Sequence, residues 1–484
     1  MRNLYLKYRY ELIVGVAGAL VMVIELVGAR IVAPYLGTSM YVWTALIGVI
    51  LAALSIGNYY GGRLADDHPS DEKLMKIVTI AVCALLLMLF VRDSVLTILT
   101  GSGIDVRLSA VMVSIVLFAI PAALLGVVSP YVAKLRLMKS KHVGASIGRL
   151  YAAGTVGSII GTFATGYWLV AWLGNTTLSV LVTGALLALT VAISTRGFVG
   201  IRLILAGIIA LSFFMLNRST QGDVVGDIDT SYARYQIVDV PGDQKVRYLI
   251  TDPDTAQSGQ YVDKPDELVF QYLKAFRSTL DDKEIDRLTV IGGGIFTFPR
   301  AVANEFPDAE VVAVEIDPRL EEIAERYFGH VRPDNLDIVV EDGRAYLNQL
   351  PGDGPKNNVL FVDAFSSRTP PYQLMTTQAV EKMKRSITQN GIVAVNLIAA
   401  VEQNDYLDAV TATYRSQFAH VDVLKVYEDI PDEQVQNLVI IASNDKASSA
   451  KAVNATKLSS VNTGRASAFT DDFAPVEQLL FSSF

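Results

Sequence analysis

Seven apolar runs fill the first 216 residues, and they limit the fold more than any other feature of the sequence. They cover roughly residues 12–32, 41–61, 74–91, 108–133, 152–172, 176–194 and 198–216. A helix needs about 20 predominantly apolar residues to cross a bilayer. The first run has no small-residue cleavage site and six more runs follow it, so it is not a signal peptide. We therefore predict a multi-span α-helical membrane domain over residues 1–216, in contact with the lipid bilayer.

Charge is divided unequally between the two parts of the chain. Residues 1–216 carry a net charge of +8 and residues 217–484 a net charge of −16. The basic residues of the first part concentrate at the N-terminus and in the loops after the second, fourth and sixth runs, which predicts a cytoplasmic N-terminus. Seven spans from that start would place the second part outside the cytoplasm. The acidic second part argues against binding to nucleic acid.

Metal binding is also not expected. The single cysteine, Cys83, excludes an intrachain disulfide and a thiolate cluster. The four histidines show no spacing typical of metal ligands.

The sequence of the second part predicts a linker followed by two structural regions. Residues 217–228 are polar and glycine-rich, as a linker would be. In the region 229–285, "YQIVDV" and "VRYLITD" are strand-like and are separated by Pro241–Gly242, which predicts a small β-hairpin subdomain. From Leu288, apolar strands alternate with amphipathic helices, which predicts an α/β Rossmann-like, class I methyltransferase-type domain over residues 286–484.

Acidic residues follow several of these predicted strands. Glu315 and Asp317 close the second strand, Asp342 the third and Asp363 the fourth. Ligands of open α/β sheets bind beyond the carboxyl ends of the strands, so these carboxylates would meet in one crevice. Strand-end acids can also simply cap the helices that follow.

A glycine turn, Gly292–Gly294, precedes the first of these acids. Glu315 comes 21 positions after Gly294, close to the spacing at which an acidic side chain meets a ribose. The motif G-x-G-x-x-G is missing, which favours a nucleoside over a dinucleotide.

Four stretches resemble polyamine aminopropyltransferases, the spermidine synthases. They are "GGGIFTFPR", "VEIDPRLEEIAERYFG", "EDGRAYL" and "VDAFSSRTPPYQLMT". With the apolar first part and "FTDDFAPVEQLL" near the end, the chain resembles the bacterial membrane-fused spermidine synthase-like proteins. The resemblance implies a transferase of polyamine biosynthesis that uses decarboxylated S-adenosylmethionine as cosubstrate and a small amine as acceptor. A homodimer is compatible with it.

The resemblance implies a donor site built from the glycine turn, the strand-end acids and the hairpin. Its residues would be Gln257, Gly292, Gly293, Gly294, Glu315, Asp317, Asp342 and Gly343. Glu315 would hold the ribose hydroxyls and Asp342 the adenine amino group.

The resemblance also implies an acceptor site. Asp363 would be the catalytic residue that orients and deprotonates the attacking amine, and Tyr232 and Gln271 would contact the substrate.

The sequence departs from the family pattern at two positions. Ile295 and Ser366 stand where the family has aspartates that help to hold amino groups. Two alternatives therefore remain open: an S-adenosylmethionine-dependent methyltransferase on the same fold, or a non-catalytic transporter or sensor that binds a nucleoside or polyamine. S-adenosyl donors are cytoplasmic, which conflicts with an odd number of spans and leaves the side of the second part unresolved.

Overall fold

The computed structural model divides the chain into two compact units. Residues 1–220 with 228–231 form the first unit, and residues 221–227 with 232–484 form the second. The residues that the structure describes are 2–37, 39–100, 104–140, 142–193, 198–216, 224–252, 255–281, 283–351, 354–365, 370–402, 404–445, 455–458 and 466–481.

The first unit is helical. Its α-helices are α1 (Arg2–Leu36), α2 (Met40–Asp66), α3 (Asp71–Thr100), α4 (Val106–Ser114), α5 (Ile120–Gly126), α6 (Val128–Leu137), α7 (Val143–Ala164), α8 (Val170–Trp172), α9 (Asn175–Ile193) and α10 (Val199–Leu216). Short π-helical segments, Ile115–Ala119 and Thr165–Leu169, join α4 to α5 and α7 to α8.

Five helical segments in the described part of the chain are long and apolar enough to cross a membrane. They are Tyr8–Ala33, Met40–Asp66, Asp71–Leu99, Val106–Leu137 and Asn175–Ile193. They correspond to five of the seven predicted runs, and the runs at 152–172 and 198–216 are not among them. The first of these two is rich in glycine, serine and threonine, which lowers its hydropathy, and the second contains the apolar helix α10.

Helix α7 packs closely against α1 through small residues. A Cβ atom at Gly157 would lie 1.9 Å from the carbonyl oxygen of Gly15, and one at Gly161 would lie 2.5 Å from that of Ala19. Side chains at these positions would therefore force the two backbones apart. Small residues at such a helix contact let the two backbones approach closely.

The second unit begins with a four-stranded sheet of order β1-β2-β3-β4. Its strands are β1 (Val224–Asp229), β2 (Arg234–Val240), β3 (Val246–Asp252) and β4 (Thr255–Tyr261). The pairs β2–β3 and β3–β4 are antiparallel. Pro241–Gly242 lies in the connection between β2 and β3, so the predicted hairpin is confirmed.

The larger sheet has eight strands in the order β12-β10-β11-β9-β8-β5-β6-β7. They are β5 (Arg287–Ile291), β6 (Glu310–Glu315), β7 (Leu336–Val340), β8 (Asn357–Val362), β9 (Ile387–Ala399), β10 (His420–Lys425), β11 (Gln436–Ser443) and β12 (Thr456–Lys457). Strands β5 to β9 are parallel, whereas β11 is antiparallel to β9 and to β10. The predicted fold class is confirmed.

Helices cover this sheet. They are α11 (Gln271–Ser278), α12 (Thr297–Glu305), α13 (Leu320–Phe328), α14 (Gly343–Gln349), α15 (Thr377–Ser386), α16 (Asp405–Arg415) and α17 (Val476–Phe481). Residues of α15 and α16 pack in one apolar core with buried residues of β8, β9 and β11. Phe276 of α11 stacks on Phe361 of β8 with ring centroids 4.0 Å apart.

The strand order reverses beside β5. The chain runs outward from β5 to β6 and β7, and then returns to β8 on the other side of β5. Loops after β5 and β8 therefore diverge, which opens a crevice at the carboxyl ends of these strands.

Candidate active site

The glycine turn after β5 lies directly against the loop that follows β8. Gly292 has φ +103°, a value that residues with a Cβ rarely adopt. A Cβ atom there would lie 2.3 Å from the carbonyl oxygen of Asp363. The Asp363 backbone N–H donates to the carbonyl of Ile291 at 2.8 Å. Glycine at 292 therefore allows the turn and Asp363 to meet at the crevice.

Glu315 binds the same turn through its carboxylate. Its Oε2 accepts from the backbone N–H groups of Gly293 at 2.9 Å and Gly294 at 3.1 Å, and its Oε1 accepts from Asp317 N at 3.0 Å. Burial raises the pKa of the Glu315 carboxyl, and the three backbone donors oppose that rise. Oε1 accepts only one of these three bonds and, as an ionised carboxylate oxygen, retains capacity for a ligand hydroxyl.

Asp342 and Asp317 both stabilise the starts of helical segments. Oδ1 of Asp342 accepts from Arg344 N at 2.9 Å and from Ala345 N at 3.0 Å, so it caps α14. Oδ1 of Asp317 accepts from Arg319 N at 3.0 Å. The capping alternative therefore holds for Asp342, which uses a single oxygen for its cap, whereas Asp317 binds the backbone of the residue that precedes α13.

Gly343 brings the start of α14 to the crevice. A Cβ atom at Gly343 would lie 2.4 Å from Cγ2 of Ile291, the last residue of β5. Asp342 is thus held next to the strand from which the glycine turn departs.

Strand β4 closes the turn from the side of the smaller sheet. A Cβ atom at Gly294, where φ is +53°, would lie 2.4 Å from Oγ of Ser258. The neighbouring Gln257 has its Oε1 atom shielded from solvent and without a hydrogen-bond partner among the described residues. An unsatisfied buried amide oxygen is costly, so a ligand donor at this place would be favourable.

Asp363 is held by two side-chain donors. The Tyr272 hydroxyl donates to Oδ2 at 3.0 Å, and Asn396 Nδ2 donates to Oδ1 at 2.7 Å. Asn437 Nδ2 in turn donates to Oδ1 of Asn396 at 3.0 Å, which fixes the orientation of that amide. Burial raises the pKa of the Asp363 carboxyl to about 6, and the bonds from Asn396 and Tyr272 lower it.

The acceptor side differs from the sequence-based expectation. Gln271 is exposed, and it is the next residue, Tyr272, that contacts Asp363. Tyr232 lies between β1 and β2 with 52% of its surface exposed. Tyr272, Asn396 and Asn437 were not expected at the site from sequence, because they are neutral donors and not acids at strand ends. "VAVNLI", with its polar Asn396 inside an apolar strand, is a signal that could have been used.

Aromatic residues lie on one side of Asp363. The ring of Tyr272 stacks on that of Phe270 with centroids 5.7 Å apart, and Phe270 lies 6.3 Å from Tyr248. Tyr427 accepts a hydrogen bond from the Gln271 backbone. This aromatic wall, Tyr248, Phe270, Tyr272 and Tyr427, can pack against an alkyl chain and favours a cation near Asp363.

The structure describes only one of the two residues that depart from the family pattern. Ile295 is 2% exposed and packs as an apolar side chain. Ser366 lies outside the described residues.

Comparison with known proteins agrees with this geometry. Residues 277–451 match the model of the spermine/spermidine synthase domain. The chain is 26% identical over 196 residues to a polyamine aminopropyltransferase of Vibrio vulnificus, covering 40% of this chain and 64% of that protein. It is 29% identical over 164 residues to a polyamine aminopropyltransferase of Chromobacterium violaceum, covering 33% of this chain and 60% of that protein. The chain therefore spans less than two thirds of the length of these relatives.

Methyltransferases are also similar to part of the chain. The human eEF1A lysine and N-terminal methyltransferase is 31% identical over 120 residues, covering 23% of this chain and 17% of that protein. Among solved structures, spermidine synthase from Thermotoga maritima aligns with a TM-score of 0.38 at 16% identity, covering 46% of this chain and 73% of that chain. Over residues 277–451 the chain is therefore similar to the spermine/spermidine synthase domain.

Proposed function

We propose that this protein is a membrane-bound aminopropyltransferase. It moves the aminopropyl group of decarboxylated S-adenosylmethionine to a diamine such as putrescine. The observation that carries the proposal is the Asp363 carboxylate, held by Tyr272 and Asn396 beside the glycine turn.

The ionisation of the Asp363 carboxyl suits aminopropyl transfer. Its pKa of about 6 leaves the carboxylate mostly ionised at neutral pH, yet far more basic than an exposed aspartate. A protonated diamine binds an ionised carboxylate, and the same carboxylate can take a proton from it. Tyr272 has a hydroxyl pKa raised well above its usual range, chiefly by burial, so it stays a donor to Asp363 throughout.

The transfer itself is a displacement at carbon. The amine lone pair attacks the aminopropyl methylene next to the sulfonium; the new C–N bond forms, the C–S bond breaks, and its electrons leave with the sulfur as a neutral thioether. The proton lost by the amine goes to Asp363. Because the sulfonium is a good leaving group, positioning of the two substrates supplies much of the catalysis.

Donor binding would use the other side of the crevice. Oε1 of Glu315 and the free capacity of Asp342 would accept hydrogen bonds from the ribose and the adenine, and Gln257 would gain a partner for Oε1. Asp317 and Gly343 would support these groups, since one stabilises the turn after β6 and the other lets α14 approach β5.

Replacement of Asp363 by asparagine tests the proposal. Purified Asp363→Asn protein should lose at least about a thousandfold in product formation, because an amide neither accepts the proton nor neutralises the cation. It should still bind a nucleoside thioether, measured by calorimetry. Asp308→Asn, at an exposed position before β6, is the matched control and should retain full activity. Undiminished turnover in Asp363→Asn would remove Asp363 from the mechanism.

A methyltransferase is the second candidate, favoured by the buried Ile295. The family's aspartate at this position helps to hold the donor's amino group, and isoleucine cannot. Calorimetry with decarboxylated and intact S-adenosylmethionine separates the two candidates. Tighter binding of the decarboxylated donor, with aminopropylated product in the mass spectrum, supports the first, whereas tighter binding of the intact donor with methylated product supports the second.

A further inference from the structure

The C-terminal segment Phe469–Phe473 is anchored beside the start of α14. The backbone N–H of Phe469 donates to Oγ1 of Thr413 at 2.8 Å, and its carbonyl accepts from Thr377 N at 2.8 Å. The Phe469 side chain is 2% exposed. The segment is therefore fixed against α15 and α16, two residues before Asp471.

Asp471 forms a two-pronged ion pair with Arg344. Nη1 of Arg344 donates to Oδ1 at 2.9 Å, and Nη2 donates to Oδ2 at 2.6 Å. Thr376 Oγ1 donates to Oδ1 at 2.6 Å, and Arg344 Nη1 also donates to the carbonyl of Gln373 at 2.7 Å. The Arg344 side chain is only 14% exposed, and the pair lowers the pKa of Asp471. A bidentate pair with these extra partners has a single favoured geometry.

The same arginine is part of the cap on α14. Its backbone N–H donates to Oδ1 of Asp342 at 2.9 Å. The guanidinium bound by Asp471 and the amide that orients Asp342 thus belong to one residue. Displacement of the arginine side chain would loosen the first turn of α14, where Asp342 and Gly343 face the crevice.

We propose that Asp471 is a positioning residue for the nucleoside of the donor. Through Arg344 it fixes the first turn of α14, so that Asp342 keeps its second oxygen directed at the adenine edge. This inference rests on the donor site of the proposed function, but it concerns binding of the nucleoside and not the transfer step. The segment Phe469–Phe473 thus contributes to the affinity for the donor.

The test uses the full chain in lipid nanodiscs and calorimetry with 5′-methylthioadenosine, the thioether that aminopropyl transfer releases. Asp471→Asn should raise the dissociation constant five- to twentyfold. Asp471→Glu keeps the charge and should recover most of the affinity. Asp472→Asn, at the exposed neighbouring position, is the matched control and should stay within twofold of the unmodified protein.

Kinetics distinguish positioning from general damage. In Asp471→Asn the donor KM should rise with the dissociation constant, while kcat at saturating donor and the amine KM stay within about twofold. Equal affinity in Asp471→Asn and Asp472→Asn would overturn the inference, as would a joint loss in kcat and amine KM. Should Asp471→Asn fail to fold, Arg344→Lys replaces it: lysine cannot form the two-pronged pair, and unchanged thioether affinity there would also overturn the inference.

The test of Asp471 and the test of the proposed function can fail separately. If the unmodified protein binds the thioether but forms no aminopropylated product, the proposed function fails and the affinities of the variants still decide the role of Asp471. If the unmodified protein binds neither 5′-methylthioadenosine nor S-adenosylhomocysteine, both fail.

Discussion

Removal of the Tyr272 hydroxyl should move the pH dependence of the reaction. This hydroxyl donates to Oδ2 of Asp363 at 3.0 Å and lowers the pKa of that carboxyl against the effect of burial. Phenylalanine at 272 deletes the hydroxyl and keeps the ring that stacks on Phe270. Because the carboxylate is the active form, a higher pKa of Asp363 shifts the acid limb of kcat/KM to higher pH.

The size of the shift follows from the strength of the lost bond. A hydrogen bond to a charged group contributes about 1.5–3 kcal/mol, and one pKa unit corresponds to about 1.4 kcal/mol. Asn396 remains as a second donor to the carboxylate and keeps part of the stabilisation. We therefore expect the lower half of this range, an upward shift of about one pKa unit from about 6.

The assay measures kcat/KM for the amine between pH 5 and pH 9 by mass spectrometry of the product, with the donor saturating. Activity of Tyr272→Phe should fall about tenfold below the unmodified protein on the acid side and converge with it at high pH. Tyr406→Phe is the matched control, since Tyr406 is fully buried and its hydroxyl has no hydrogen-bond partner among the described residues. An unmoved acid limb in Tyr272→Phe would refute the reasoning, as would an equal shift in the control.

Three further predictions concern the fold and its orientation. Gly292→Ala should destabilise the second unit by more than Gly329→Ala: both positions have positive φ, but only at 292 would the Cβ meet backbone, whereas at 329 it meets open space. In chemical denaturation we expect about 1 kcal/mol for Gly329→Ala and at least about twice that for Gly292→Ala, and equal losses would contradict the model of the turn. Gly157→Ala should lower the melting temperature in detergent by several degrees, whereas Gly148→Ala, where a Cβ meets nothing within 4 Å, should leave it unchanged or raise it. If the donor is an S-adenosyl compound, protease should reach the C-terminal domain only after spheroplasts are lysed; digestion of intact spheroplasts would argue against that donor.

The parallel sheet could be predicted from sequence because its strands are buried on both faces. Runs such as "LTVI", "VVAV" and "VLFV" are almost entirely apolar, and each is followed by a polar residue or glycine where the strand leaves the core. That pattern locates the carboxyl ends of the strands, and with them Glu315, Asp342 and Asp363. The donor half of the candidate site could therefore be proposed without coordinates.

The partners of Asp363 could not be predicted in this way. Tyr272 comes from a helix before the sheet, and Asn396 comes from a strand 33 residues after Asp363. Both are neutral, and each approaches Asp363 only through tertiary packing. The sequence predicts seven spans, whereas five helical segments of the described residues are long and apolar enough to cross a membrane. Small residues let α7 fit tightly against α1 and also lower the hydropathy of that run.

Because the backbone at Gly292 lies against the Asp363 carbonyl, the proposed donor site and the proposed base cannot move independently. The backbone that would approach the nucleoside rests on the backbone that carries the base, with no side chain between them to absorb a change. Enlarging the pocket at this turn, to admit a bulkier sulfonium compound, would displace Asp363, the proposed base, from the amine whose proton it would accept. Room for new donors would have to come from β4, whose Ser258 lies against Gly294 on the other side of the turn.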